Sequence, residues 1–489
     1  MIWVGTDDGN VQLSRDGAKT WTNVVGNVPG LPRASWVSWV EASRFDPAVA
    51  YATFDRHTFG DMTPWVFRTT NFGQTWTRIV SPDQGVRGYA HVIKEDSAVR
   101  SLLFVGTEFG LWISVDAGTT WAQFKGNRFP SVAVRDIVVQ PREGDLVLAT
   151  HGRGIWIVDD LQPLRSLSTA TLAKSTAFLP GRPVQQRMPA GGGWVDGDAA
   201  FTGASAPSGA VISYYLRARH IYGPMKLEVL DAKGAVVDTL TATKHRGINR
   251  VDWSMQVKPP RVPKAAIGAG AAQIGPRVVP GTYTLRLTQG SDVSETKLVI
   301  GLDRRAPYTV ADRAAQFDAM MKAHGLFGEM SKIVDRVNAM RAAVGARTKA
   351  LPATDDLAGK LGTLGGKLDD IKKKIVATTE GGAITGEERL RENLDNVYGA
   401  ILGWEGRPAK YQVDRIEVLR QELAETSRDL DALVAKEIKP LDEKLKAKKL
   451  EPISSATLKP NLDHVAIECV ETNGRNCGAD KDQVARDTD

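Results

Sequence analysis

Residues 1–160 alternate apolar and polar positions over short runs broken by Gly, Asp and Asn, which is the period of half-buried antiparallel strands. The runs predict two complete four-stranded groups, 37–45, 50–54, 65–69, 75–80 and then 89–94, 102–106, 111–115, 120–124. Before them, 2–5, 11–14 and 20–24 supply three strands and lack an innermost one. After them, 135–139, 145–150 and 154–158 supply three more and lack an outermost one. Groups of three, four, four and three do not close a ring, and open sheet edges are something soluble proteins avoid. The expectation is a partial β-propeller over 1–160, the C-terminal part of a larger propeller protein.

Residues 161–210, rich in Pro, Gly, Ala and Ser, read as a connection. Alternation returns at 211–216, 226–230, 236–240, 249–254, 282–288 and 296–301. These predict a small β-sandwich over 211–303, with a Gly-containing turn at Asp231–Gly234 and a long loop at 259–280. From Thr309 the period changes to about 3.5. Ala323, Leu326, Met330, Ile333, Val337, Met340 and Val344 recur at steps of three and four, as do Leu357, Leu361, Leu364, Leu368, Ile371 and Ile375. Ile416, Leu419, Leu423, Leu430 and Leu433 form another stripe, and Leu390, Leu394, Val397 and Ile401 a shorter one. Caps at Thr309–Asp312 and Thr385–Glu388, with Pro352 and Gly381–Gly382 in the joining loops, predict an antiparallel helical bundle over 309–450, limited by Pro440. A polar tail follows over 451–489.

One phrase recurs three times: Ser14-x-Asp16-Gly17-Ala18-x-Thr20-Trp21, Thr69-x-Asn71-x-Gly73-x-Thr75-Trp76, and Ser114-x-Asp116-x-Gly118-x-Thr120-Trp121. Its tryptophans are 55 and 45 residues apart, about the length of one four-stranded blade. Asp or Asn can accept from turn amides, Gly takes a positive φ, and Trp packs between sheets. The phrase resembles the Asp-box (BNR) repeat of sialidase-like and sortilin-like propellers, where it is a structural turn on the outer rim away from any active site. The third copy matches fully, the second substitutes Thr69 and Asn71, and the first has its glycine one place early.

The whole chain is similar to the C-terminal half of large bacterial BNR-repeat proteins labelled sortilin-like or glycosyl-hydrolase-like. Residues 151–160 look like the end of their propeller, 209–216 like the first strand of their Ig-like sandwich, and 280–287 like a late strand of it. The resemblance implies an exported protein, secreted, periplasmic or at the cell surface. Met1, however, leads straight into a strand with no basic n-region, h-region or cleavage site. The alternatives at this point are a cytoplasmic protein or a start that lies further upstream.

The 489 residues are 42% hydrophobic and 25% charged, with a net charge of +6, ordinary material for about three globular domains. Lysine runs at 372–374 and 444–449 fall in predicted helices and read as solvated faces, so no nucleic-acid partner is expected. No apolar stretch is long enough to span a membrane. Cys469 and Cys477 could form a disulfide in an oxidising compartment or remain free thiols. With only His464 near them, no metal site is expected, and nothing supports a cofactor.

Blade-inner strands and their loops are where chemistry would sit. Glu41, Asp55, Arg56, His57, Asp61, Glu108, His151, Arg153 and Asp159 could face the pore or a rim. A sialidase-like reading needs three arginines on a carboxylate, a Tyr–Glu pair and an acid Asp. A xyloglucanase-like reading needs two carboxylates across a sugar cleft. Asp55, Asp61 and Glu108 are the catalytic candidates, and Arg56, His57, His151 and Arg153 the ligand-binding ones. The structural alternatives are that Asp55 and Asp61 cap a loop and pair Arg56, that His151 and Arg153 sit on a tight turn with locally paired charges, and that Glu108 is a hairpin residue. The favoured function is binding or scaffolding with a peptide, glycan or surface-protein ligand, with self-association through helices or the open propeller edge. The alternative is a glycoside hydrolase with the rest of its active site in upstream blades.

Overall fold

The computed structural model describes residues 1–126, 129–188, 208–352, 354–381 and 386–454. Cys469, Cys477, His464 and Thr385 lie outside them, as does most of the Gly- and Ala-rich stretch expected as a connection. The chain divides into two compact units: Met1–Val257 with Arg277–Val310, and Lys258–Pro276 with the chain from Ala311 onward.

Four antiparallel sheets open the first unit. They are β1 (Ile2–Gly5), β2 (Val11–Ser14), β3 (Thr22–Asn23); β4 (Trp36–Ala42), β5 (Ala50–Arg56), β6 (Asp61–Thr69), β7 (Thr77–Val80); β8 (Ala90–Glu95), β9 (Leu103–Thr107), β10 (Gly110–Ser114), β11 (Ala122–Gln123); and β12 (Val134–Gln140), β13 (Asp145–Thr150), β14 (Ile155–Val158). Each is a meander in chain order, which is the three, four, four, three pattern read from the alternation. Neighbouring sheets stack as propeller blades do. Val11, Phe54, Phe67 and Trp76 join the first two; Tyr51, Ile93, Leu103 and Trp121 the next; Phe104, Val134, Leu146 and Leu148 the last. The stacking is close at Gly106, where a Cβ would lie 2.6 Å from the Val134 carbonyl oxygen.

Each copy of the repeated phrase folds as one turn. Ser14 Oγ accepts from Ala18 N, Thr69 Oγ1 from Gly73 N and Ser114 Oγ from Gly118 N. Asp16, Asn71 and Asp116 accept from the amides of Thr20, Thr75 and Thr120. Two successive residues take positive φ in every copy: Gly17 and Ala18, Phe72 and Gly73, Ala117 and Gly118. The early glycine of the first copy therefore fills the first left-handed position and leaves Ala18 in the second, at +73°. Trp76 packs edge-on against Trp3 of the preceding sheet, and the Trp121 indole donates to Ile79 O. Trp21 departs from the expected packing and is 44% exposed.

The stretch expected as a connection is structured where described. After α1 (Gln162–Arg165) and α2 (Thr169–Ala173), β15 (Thr176–Leu179) and β16 (Val184–Gln186) enter two further sheets. β15 pairs with β17 (Ala210–Leu216), which pairs with β20 (Gly247–Trp253). β16 pairs in parallel with β22 (Asp292–Leu302) in a sheet continuing through β21 (Gly281–Gln289), β18 (Met225–Leu230) and β19 (Val236–Leu240). One core of Ile212, Tyr214, Leu227, Trp253, Leu285 and Ile300 lies between them.

The second unit is built on α3 (Val310–Ala350), with α4 (Asp356–Ile375), α5 (Leu390–Leu402), α6 (Lys410–Leu433) and α7 (Lys439–Ala447). The predicted stripes are the buried faces, with Ile333, Val397 and Leu433 only partly buried. Pro440 does not end the last helix: a π-helical turn at Val434–Ile438 places it in the first turn of α7, where a missing N–H costs little. Helix α5 starts at Leu390, later than its expected cap, and Arg389 N donates to Glu392. Residues 258–276, most of the expected sandwich loop 259–280, pack instead on the helices. Asp395 accepts from Gly270 N and Ala272 N, Tyr398 Oη donates to Ile274 O, and Ser331 Oγ to Arg261 O. The start of the expected tail is also held, with Ile453 buried and its amide donating to Asp442. No helix among the described residues is long and apolar enough to cross a membrane.

Candidate functional site

Antiparallel strands reverse direction, so the turns of the four propeller sheets fall at alternate ends. The repeated phrases and the turns before β5, β9 and β13 share one end. The turns after β5, β9 and β13 share the other, with the starts of the inner strands β4, β8 and β12. All seven residues proposed for catalysis or binding sit at this second end.

What brings side chains together there is a backbone device repeated three times. Each inner strand carries a β-bulge near its start: between Val37 and Trp39, Ala90 and Val92, and Val134 and Asp136. The extra residues are Ser38, His91 and Arg135. A bulge breaks alternation and re-aims the extra side chain. Arg135 Nη1 lies against the His91 ring, within reach of both Nε2 and Nδ1, and donates to whichever nitrogen carries no proton. His91 Nδ1 lies 3.6 Å from Asp55 Oδ2, too far for a hydrogen bond, and that oxygen has no other partner. Burial first, and Arg135 second, hold His91 down at about 4, so it is neutral at pH 7.

Asp55 is fully buried, and its Oδ1 accepts from both the backbone N and Nδ1 of His57, at 2.9 and 2.7 Å. This fixes the His57 ring, which stacks on Tyr89 with centroids 4.6 Å apart. Tyr89 meets His91 edge-on at 4.8 Å, and Trp36 meets His91 at 6.4 Å. Arg135 Nη2 reaches Tyr89 Oη at 3.4 Å and Glu108 Oε2 at 3.7 Å. Burial first, and Glu108 second, push the Tyr89 hydroxyl up. The result is a connected set, His57–Asp55–His91–Arg135–Glu108 around Tyr89, with Trp36, Phe59 and Phe109 exposed about it.

The structure thus brings Asp55, His57 and Glu108 together. Asp61 is a separate capping group. It accepts from Thr63 N and the Trp65 indole, lies 3.5 Å from Arg56 Nε, and is held below the usual carboxylate range by the Thr63 and Trp65 bonds working against partial burial. Asp55 holds His57, so Arg56 pairs with Asp61 alone of the two. His151 and Arg153 are exposed on the β13–β14 turn, each followed by a glycine at positive φ, Gly152 and Gly154. The local charge pairing expected for them is not present among the described residues. Of the other residues expected at the pore or a rim, Glu41 on inner strand β4 pairs Lys94 on inner strand β8 at 2.9 Å, and Asp159 follows β14 at the opposite end of the sheets. Sequence reading missed His91 and Arg135 because strict alternation hides a bulged residue, and Trp36 and Tyr89 because their ring partners lie elsewhere in the chain.

No family model matches this sequence, and no curated protein does. Solved structures similar to parts of it include YCF48 bound to D1 peptide, at 16% identity over 36% of this chain and 71% of that one, TM-score 0.21. The GH74 enzyme of Niastella koreensis is 14% identical over 60% of this chain, TM-score 0.27. The GH74 xyloglucanase of Xanthomonas campestris is 15% identical over 63%, TM-score 0.25. The chain spans 43% of the length of each GH74 enzyme. Scores this low lend no weight to a functional assignment, and the blade architecture rests on the strand pairing of the chain itself.

Proposed function

We propose that the bulged end of the propeller sheets is a ligand-binding face, and that its ligand is a glycan. The observation that carries this reading is the threefold bulge, which sets His91 and Arg135 against Asp55, His57, Tyr89 and Glu108. Flat aromatic rings beside charged hydrogen-bonding groups suit sugar rings, which present apolar C–H faces between hydroxyls. Loops and strand ends on a rigid scaffold are where such sites arise. In the same reading the repeated phrases are Asp-box turns of the BNR type, serving structure at the opposite end, and the paired sheets beyond them are an Ig-like sandwich.

A glycoside hydrolase is the second reading, favoured only by the shared location of Asp55, Glu108 and Asp61. Asp61 is a poor proton donor, because a general acid needs its carboxyl pushed up rather than held down. The test is incubation of the protein with a panel of soluble polysaccharides, measuring both retention and reducing ends. Retention without new reducing ends supports binding. Reducing ends that vanish in Asp55→Asn or Glu108→Gln would replace it with hydrolysis.

A further inference from the structure

We propose that a second site, in the cleft between the fourth propeller sheet and the two-sheet sandwich, binds a small ligand carrying a tetrahedral oxyanion, phosphate or sulfate. The cleft holds about 430 Å³, within the range of small-molecule sites. Arg142, Arg165, Arg182, Arg187, Arg250 and Arg304 line it.

The carboxylates about the floor are already committed to the fold. Asp96, fully buried, accepts from Arg165 Nε and Nη2, the latter at 2.8 Å. Asp145 takes Arg182 at 3.2 Å and the Asp160 amide at 2.9 Å. Asp160, whose φ is +56°, accepts from the amides of Gln162 and Arg182. Glu143 is shared between Arg142 and Arg182. These contacts engage three arginines, Arg142, Arg165 and Arg182, without leaving any of those four acids free.

The mouth is different. Arg187, Arg250 and Arg304 are exposed and have no carboxylate partner among the described residues, and Arg250 gives a 3.4 Å bond to the Asp159 backbone oxygen. Against these three cations stands, among the described residues lining the cleft, one uncommitted acid, Asp159. Guanidinium forks converging on one cavity match an oxyanion's paired oxygens, and the excess of positive charge favours it. This site lies at the opposite end of the sheets from the bulged face, so each can fail without the other.

Calorimetric titration of the full chain with inorganic phosphate and with sulfate, at low ionic strength and with acetate as control, decides it. The expected result is saturable binding of one or both tetrahedral ions, with acetate at least tenfold weaker. Arg187→Gln and Arg304→Gln each weaken it at least fivefold, whereas Arg142→Gln, whose guanidinium already pairs with Glu143, stays within twofold. Circular dichroism of the variants checks that the fold is intact. No saturable heat with either ion, or binding unchanged in both Arg187→Gln and Arg304→Gln, overturns the proposal.

Discussion

Ala18 shows how one residue can match a motif in composition and still carry strain. The repeated turn needs two successive left-handed residues, a conformation that costs an L-residue about 1–2 kcal/mol. The later copies place glycine second, where Val24 and Ile79 crowd the site; the first copy places it one residue early. Ala18→Gly is expected to stabilise the protein by roughly 0.5–1 kcal/mol, read as a higher denaturation midpoint. No gain would show that the first turn tolerates Ala18 without strain. His91 supplies a pH signature at the same scale. Its folded value of about 4 lies below the unfolded value near 6.5. Between these the unfolded chain takes up a proton that the folded chain refuses, so stability falls as pH drops from about 6.5 toward 4. His91→Gln should flatten that part of the pH–stability curve; an unchanged slope would mean other groups set it. The repeated turns were legible because each is local, set by side chains reaching amides a few residues away. His91 and Arg135 were not, since their partners lie on other sheets.

Elements were legible to the extent that their periods were regular. The helical stripes and the strand groups follow from spacing alone, and the faces they predict are the faces that are buried. Bulges, by contrast, insert a residue that alternation cannot register, and a π-helical turn carries the last helix across Pro440. The stretch 258–276 read as a loop because its Gly, Ala and Pro residues lack a period. Its placement comes instead from partners 70 to 125 residues away, Ser331, Asp395 and Tyr398 among them. Asp395→Ala would leave the Gly270 and Ala272 amides without acceptors and cost about 1–3 kcal/mol. Limited proteolysis should then cut within 258–276 sooner; an unchanged cleavage pattern would mean the apolar contacts suffice. In the third sheet, Gly106→Ala forces a methyl onto the Val134 carbonyl and Val92. A loss of about 1–3 kcal/mol is expected, read by chemical denaturation, and a neutral effect would show that the sheets can separate there.

At the scale of the molecule, the proposed function has the propeller sheets separate structure from recognition. One end carries the repeated turns, whose polar groups are satisfied locally. The other carries a set of charged and aromatic side chains assembled from three sheets, with exposed aromatics around it. The sequence offered Asp55 and His57 because a polar insertion interrupts a strand there, and Glu108 separately as a carboxylate between Thr107 and Phe109. It offered no means of seeing that they meet His91 and Arg135, since that meeting depends on sheet stacking. The most direct test is the affinity of a retained glycan for the wild-type protein and for His57→Ala, Arg135→Gln and Asp116→Asn. The account predicts at least tenfold weaker binding in the first two, about 1.4 kcal/mol each, and binding within twofold of wild type in Asp116→Asn at the opposite end. Affinity that is indifferent to His57 and Arg135 would contradict it.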